Sequence, residues 1–169
     1  PSPGRGAVLL GLGSLGRKRL HSKSDLDLIL IYDAAGVEIS SGEKSIASKS
    51  YYARLTKSMV AAIGAPMTEI SLFQVDMRLR PSGNQGPVAT SWEAFKHYQI
   101  SEAWVWEHLA LVNATIIAGP KGLQKDVSKF CESLKSLRPD EKVMSGLSIM
   151  RKRLYASQSM NENWSLKLG

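Results

Sequence analysis

A chain of 169 residues, 43% of them hydrophobic, can bury one domain's core, so disorder is excluded as the default reading. The formal charge of +7 and a pI near 9.6 point to an anionic partner (nucleotide, nucleic acid or acidic protein surface) or to a basic solvated face. Cys131 is the only cysteine, which excludes an internal disulfide and a thiolate metal cluster and fits a reducing cytoplasm; no apolar run reaches the roughly 18 residues of a membrane helix.

The opening PSPGRG has neither an initiator Met nor a hydrophobic signal region, and both ends read as cut from something longer. AVLLGLG, Ala7 to Gly13, reads as a buried strand entering a tight glycine turn. Ser14 then stands near the start of a short basic helix, SLGRKRL. DLDLILIYD, Asp25 to Asp33, is apolar on both faces beyond Asp27 and suits a central strand covered on both sides. The polar stretch from Asp33 to Lys49 reads as a loop. Ser50 is placed to cap a helix running to about Ile63, with Tyr52, Leu55, Met59 and Ile63 at helical spacing and Gly64 to Pro66 as its stop.

EISLFQVDMRLRP, Glu69 to Pro81, alternates as a half-buried strand, and the turn-rich PSGNQGP follows. From Thr90 four segments read as helices: residues 90–99, 101–119, 122–137 and 140–157. The layout predicts an α/β (α+β) fold, with a catalytic core over residues 1–90. Residues 91–169 form a helical extension of the same domain, truncated at its C-terminus. Trp104 and Trp106 read as packing residues between helices and sheet. His21, His97 and His108 share no metal-ligand spacing, and MRKRL, Met150 to Leu154, reads as a solvated helix face.

Asp25 and Asp27 carry the chemical argument. Side chains two apart on a strand share a face, roughly 7 Å apart at their roots. At an effective dielectric near 20, two negative charges at that distance repel by about 2–3 kcal/mol, so a cation belongs between them. On the third strand Gln74, Asp76, Arg78 and Arg80 are expected on one face. Asp25, Asp27 and Asp76 on adjacent strands make a hard-oxygen cluster suited to Mg²⁺, of the kind that clamps both oxygens of a phosphoryl displacement. Gly13 and Ser14, opening a helix, offer backbone N–H groups to a triphosphate. The GxGxxG spelling of Gly11, Gly13 and Gly16 is a weak dinucleotide signal, because the acidic pair arrives too soon after it. Taken singly, a hydrogen-bonded turn accounts for the first two aspartates, and an ion-paired strand face for Asp76, Arg78 and Arg80. Together with the Gly-Ser turn, the catalytic reading is the stronger.

GLGSLG…SDLDLILIYD followed by VDMRLRPSGNQGPVATSWEAFKHYQISEAWVWEHLALV resembles the bifunctional bacterial glutamine synthetase adenylyltransferases. That family belongs to the polymerase-β-like nucleotidyltransferases, and the match runs from about Gly11 to the end. The resemblance implies a mixed sheet flanked by helices, and it is greatest to the C-terminal, adenylylating copy. It implies Mg²⁺ held by Asp25, Asp27 and Asp76, and ATP as substrate contacted by Gly13, Ser14, Arg78 and Arg80. AMP would pass from ATP to a tyrosine of glutamine synthetase, in the cytoplasm, as part of nitrogen regulation. Glutamine synthetase is the implied partner and the PII signal protein a candidate second one; nucleic acid and membrane are not expected. Alternatives are the deadenylylating copy, which phosphorolyses adenylyl-tyrosine, and a catalytically weak module binding nucleotide or PII. The third reading draws on ALVNAT, where Asn113 and Thr115 stand in place of two arginines of the family's run.

Overall fold

The computed structural model describes residues 4–22, 24–65 and 73–135. In chain order they form β1 (Gly6–Gly11), α1 (Gly13–Gly16), β2 (Leu26–Asp33), α2 (Ser48–Gly64), β3 (Val75–Asp76), β4 (Thr90–Ser91), α3 (Trp92–Ser101), α4 (Val105–Val112), β5 (Thr115–Ala118) and α5 (Lys121–Lys135). A single 3₁₀ turn, Gly83–Gln85, lies between β3 and β4. The expected helix over residues 140–157, the basic MRKRL within it, and the start of the expected third strand lie outside the described residues.

The sheet is mixed, which fits a nucleotidyltransferase-like α/β fold. β1 pairs antiparallel with β2 on one side and with β5 on the other. The outer edge of β2 is shared by two short parallel strands. Leu26 and Asp27 face Val75 and Asp76 of β3, while Ile31 and Tyr32 face Thr90 and Ser91 of β4. The chain therefore leaves that edge after Asp76, makes a loop, and returns to the same edge at Ile31, further along β2.

Both faces of β2 are covered, as its unbroken apolar run requires. Ile29 and Ile31 join Val8, Leu10 and Leu12 under α3, α4 and α5, in a core that includes Trp92, Phe95, Leu111, Leu123 and Val127. Leu30 and Tyr32 face the other way, against Tyr52 and Met59 of α2 and against Met77. The Tyr32 and Tyr52 rings stack at 4.3 Å between centroids. On α5, Leu123, Val127, Cys131 and Leu134 are buried at helical spacing, which makes it the plainest amphipathic helix among the described residues.

Several expectations are corrected. Thr115 to Ala118 is a strand, not the end of a long helix. Asn113 caps α4, and the β-branched run Thr115-Ile116-Ile117 prefers the pleated surface beside β1. α2 begins at Ser48 with Ala47 at its cap, so Ser50 lies inside the helix and caps nothing. Of its expected stripe, Tyr52 and Met59 pack on the sheet, but Leu55 and Ile63 are exposed. α1 is one turn only, so the basic residues after Gly16 lie outside it. Trp104 and Trp106 are exposed, because α4 turns Glu107 and Leu111 inward instead. The aromatic packing beside the sheet comes from Trp92, Phe95 and Phe130.

Candidate active site

The glycine turn and the acidic strand are clasped together. Leu12 N–H donates to the Asp27 carbonyl at 2.9 Å, which closes the end of β1 onto the start of β2. Gly13 has φ of 53°, the left-handed region that favours glycine. A Cβ built there would lie 2.1 Å from Asp27 Oδ2, so the carboxylate fills the space a side chain would need. Gly16, at the far end of the turn, is as tightly placed: its Cβ would lie 2.3 Å from the Asn113 carbonyl oxygen. The turn is thus wedged between Asp27 and the end of α4, and it has no freedom to accept larger residues at either point.

Asp76 comes to Asp27 through strand register. The two are direct partners across the β2–β3 pair. Burial pushes the Asp27 carboxyl above its ordinary value, and the Asp76 and Asp25 charges push it further, against a smaller opposing pull from Arg78. Asp27 therefore senses both other aspartates electrostatically. Arg78 is the cation that their mutual repulsion demands within the protein. Its Nε donates to Asp76 Oδ2 at 2.7 Å, and its own N–H donates to Asp76 Oδ1 at 2.8 Å. These bonds hold the Asp76 carboxyl below the usual carboxylate range, and the Asp25 and Asp27 charges add to the hold on Arg78.

The same bonds correct the expected third strand. By accepting the N–H two residues on, Asp76 makes an Asx turn that bends the chain out of the sheet. β3 consequently ends at Asp76, and Gln74, Asp76, Arg78 and Arg80 do not form one strand face. Arg78 is exposed at the tip of its ion pair. Arg80 is 8% exposed and turns inward, where it donates to the Met77 carbonyl at 2.7 Å and to the Gly86 carbonyl. It staples the loop shut.

The donor chemistry fits a hard divalent cation. Three carboxylates, two in strand register and one two residues along, supply oxygen ligands only, and their repulsion is what such an ion relieves. With Asp76 turned to Arg78, no three His, Cys, Asp or Glu side chains among the described residues already converge as a metal-binding group. Ser14, next to Gly13 in the turn, is half-buried, and its carbonyl accepts the Arg19 N–H at 2.9 Å. His108 bonds the Gln99 carbonyl at 2.8 Å. Sequence reasoning missed the buried Glu107, which accepts the Tyr98 hydroxyl at 2.9 Å. An acid four residues before an apolar Leu111 on a helix was the available signal.

A family model described as glutamate-ammonia ligase adenylyltransferase matches residues 2–130. The chain belongs to that family. Among curated members, the bifunctional glutamine synthetase adenylyltransferase/adenylyl-removing enzyme of Mesorhizobium japonicum is 44% identical over 162 residues, covering 95% of this chain and 16% of that protein. The enzyme of the same name from Agrobacterium fabrum is 42% identical over 170 residues, covering 99% of the chain and 17% of the relative. A third, from Rhodopseudomonas palustris, is 36% identical over 166 residues, 97% of the chain and 17% of the relative. The chain thus spans about a sixth of the length of these adenylyltransferase relatives. Among the described residues no helix is long and apolar enough to cross a membrane.

Proposed function

We propose that this chain is a nucleotidyltransferase domain that moves AMP from ATP to a tyrosine hydroxyl of glutamine synthetase and releases pyrophosphate, with Mg²⁺ as cofactor. The observation that carries the reading is Asp27, in register with Asp76 and seated against the Cβ-less face of Gly13. Asp25, Asp27 and Asp76 would hold the metal, which when bound supplies charge neutralisation and Lewis acidity at the phosphoryl oxygens. Gly13 and Ser14 would offer backbone N–H groups to the triphosphate. Arg78, at the rim, is free to exchange its carboxylate partner for phosphate oxygens. Arg80 supports the same end of the site through the loop it holds. Catalysis of this kind rests on positioning and electrostatic stabilisation far more than on covalent participation by the protein.

Glutamine synthetase as target, the PII signal protein as a second partner and a cytoplasmic location belong to the same reading. Residues 91–135 belong in this reading to the same domain as the strands before them, since β5 pairs with β1. The relatives are named for adenylyl removal as well as transfer, and phosphorolysis of adenylyl-tyrosine needs the same three carboxylates. One experiment tests both directions. The 169-residue chain is incubated with glutamine synthetase, ATP labelled at the α-phosphate and Mg²⁺, and separately with adenylylated glutamine synthetase and phosphate. Label on a tyrosine in the first reaction supports the proposal. Release of ADP in the second alone reverses the direction. No reaction in either, with ATP still bound, leaves a nucleotide-binding module and overturns the proposal.

A further inference from the structure

α4 is fastened at both of its ends. At its start, two successive residues bond two successive residues of α3. The Tyr98 hydroxyl donates to Glu107 Oε1 at 2.9 Å, and the His108 Nε2 bonds the Gln99 carbonyl at 2.8 Å. A carbonyl can only accept, so His108 is the donor there. The other Glu107 oxygen accepts the Trp104 backbone N–H at 2.7 Å and closes the first turn of the helix. Glu107 is 6% exposed, and a carboxylate is buried at a cost unless its oxygens are satisfied. One bond would leave α4 free to pivot; two adjacent bonds fix its height and its roll against α3.

At its other end α4 meets the glycine turn backbone to backbone. A Cβ on Gly16 would lie 2.3 Å from the Asn113 carbonyl oxygen. With no side chain on Gly16 to give way, a shift of α4 passes directly to the turn. Hydrogen bonds hand it on: the Gly16 N–H donates to the Leu12 carbonyl at 2.8 Å, and the Leu12 N–H to the Asp27 carbonyl at 2.9 Å. Leu111 of α4 and Leu12 also share one buried core. From Glu107 to Asn113 is only about 9 Å along the helix axis, a short and stiff span.

We propose that Tyr98, Glu107 and His108 are positioning residues for the Gly13–Gly16 turn. They clamp the start of α4 to α3, and the far end of α4 holds the turn beside Asp27. The inference rests on the adenylyl-transfer reading and deepens it, because it gives the helical layer a part in placing the backbone that receives the nucleotide.

Calorimetric titration of ATP and Mg²⁺ into the 169-residue chain reads the turn, at a temperature where every variant is folded. Tyr98→Phe and His108→Leu should each weaken ATP binding by roughly threefold to tenfold, the range that one hydrogen bond spans. His108→Gln, whose amide can still donate to the Gln99 carbonyl, should restore wild-type affinity. In Gly16→Ala the added methyl already pushes Asn113 away. Adding Tyr98→Phe to it should cost nothing further, since residues acting through one contact are not additive. Met59→Ala, on α2 in the other core cluster, should lower the melting temperature and leave ATP affinity unchanged. Wild-type affinity in Tyr98→Phe or His108→Leu, or a loss that adds to that of Gly16→Ala, would overturn the inference while the adenylyl-transfer reading stands. An equal loss in Met59→Ala would overturn it too, as general loosening of the fold. If Tyr98→Phe or Gly16→Ala does not fold, His108→Leu against His108→Gln decides by the same criteria. Absence of ATP binding by the unmodified chain would overturn the reading itself and this inference with it.

Discussion

Gly13 and Asp27 share a volume that only one side chain can occupy. A Cβ at Gly13 would lie 2.1 Å from Asp27 Oδ2, and the glycine's φ of 53° disfavours any other residue as well. Gly13→Ala should therefore displace the carboxylate and strain the turn, at a cost of about 1–3 kcal/mol of stability. Urea denaturation measures the loss. ATP binding at matched folded fraction should fall too, because the turn and the carboxylate move together; unaltered ATP affinity would separate the turn from the nucleotide.

Asp27 and Asp76 should respond to pH with opposite signs. Asp27 is raised above its ordinary 3.8, chiefly by burial, so the folded protein binds that proton more tightly than the unfolded chain does. Stability from this group falls as pH rises from 3.8 through the raised value, and ionised Asp27 is a liability at neutral pH. Asp76 is lowered by Arg78, so its contribution is full above 3.8 and is lost as pH falls through the depressed value. At pH 7 without metal, Asp27→Asn should raise the melting temperature and Asp76→Asn should lower it. Both should abolish transfer. Calorimetry at pH 7 checks the signs, and a stabilised Asp76→Asn would contradict the ion pair.

The two arginines after β3 should separate by kind of defect. Arg80 is buried and bonded to two carbonyls, so Arg80→Ala should cost about 1.5–3 kcal/mol for each charge-assisted bond lost. Arg78 is exposed in its ion pair, where solvent screens the attraction. Arg78→Ala should thus barely change stability but should release Asp76 toward its ordinary value. The acid limb of the transfer rate should then move to higher pH. Thermal melts and a pH–rate profile of the two variants distinguish these outcomes.

Asn113 and Thr115 do not lie on one helix. Asn113 caps α4 with its carbonyl against Gly16, whereas Thr115 opens β5 opposite Gly11. Only Asn113 abuts the far end of the glycine turn, and its side chain is exposed. Asn113→Arg should tighten ATP binding by roughly tenfold, the equivalent of one charge-assisted hydrogen bond. Thr115→Arg should not. Calorimetric titration of ATP into each variant decides between them, and equal effects would contradict this placement.

The acidic strand and the glycine turn were legible because each has a local signature. Asp27 stands at the start of β2 with Asp25 exposed just before the strand, and glycine marks the tight turn ahead of them. Burial on both sides of β2 followed from its unbroken apolar run. Asp76 beside Asp27 depended on strand pairing that no local pattern encodes, yet the alternation around it pointed to a strand. What escaped was wherever a side chain competed with regular structure. Asp76 ends its own strand by accepting the Arg78 N–H, so Arg78 and Arg80 part company although their spacing says otherwise. β5 escaped because four residues cannot outvote a helical neighbourhood when read by periodicity, and its partner β1 lies at the other end of the described chain.

That last pairing has a consequence for synthesis. Leu10 meets Ile116, more than a hundred residues later, so β1 carries a bare edge while the ribosome makes everything between. An exposed strand edge is a template for wrong partners, and contacts between distant residues are slow to form. The nascent chain can pair β1 with β2 early, clasping Gly13 to Asp27 long before β5 emerges. A chain stopped before Thr115 should consequently hold its acidic strand and still aggregate through Val8 and Leu10.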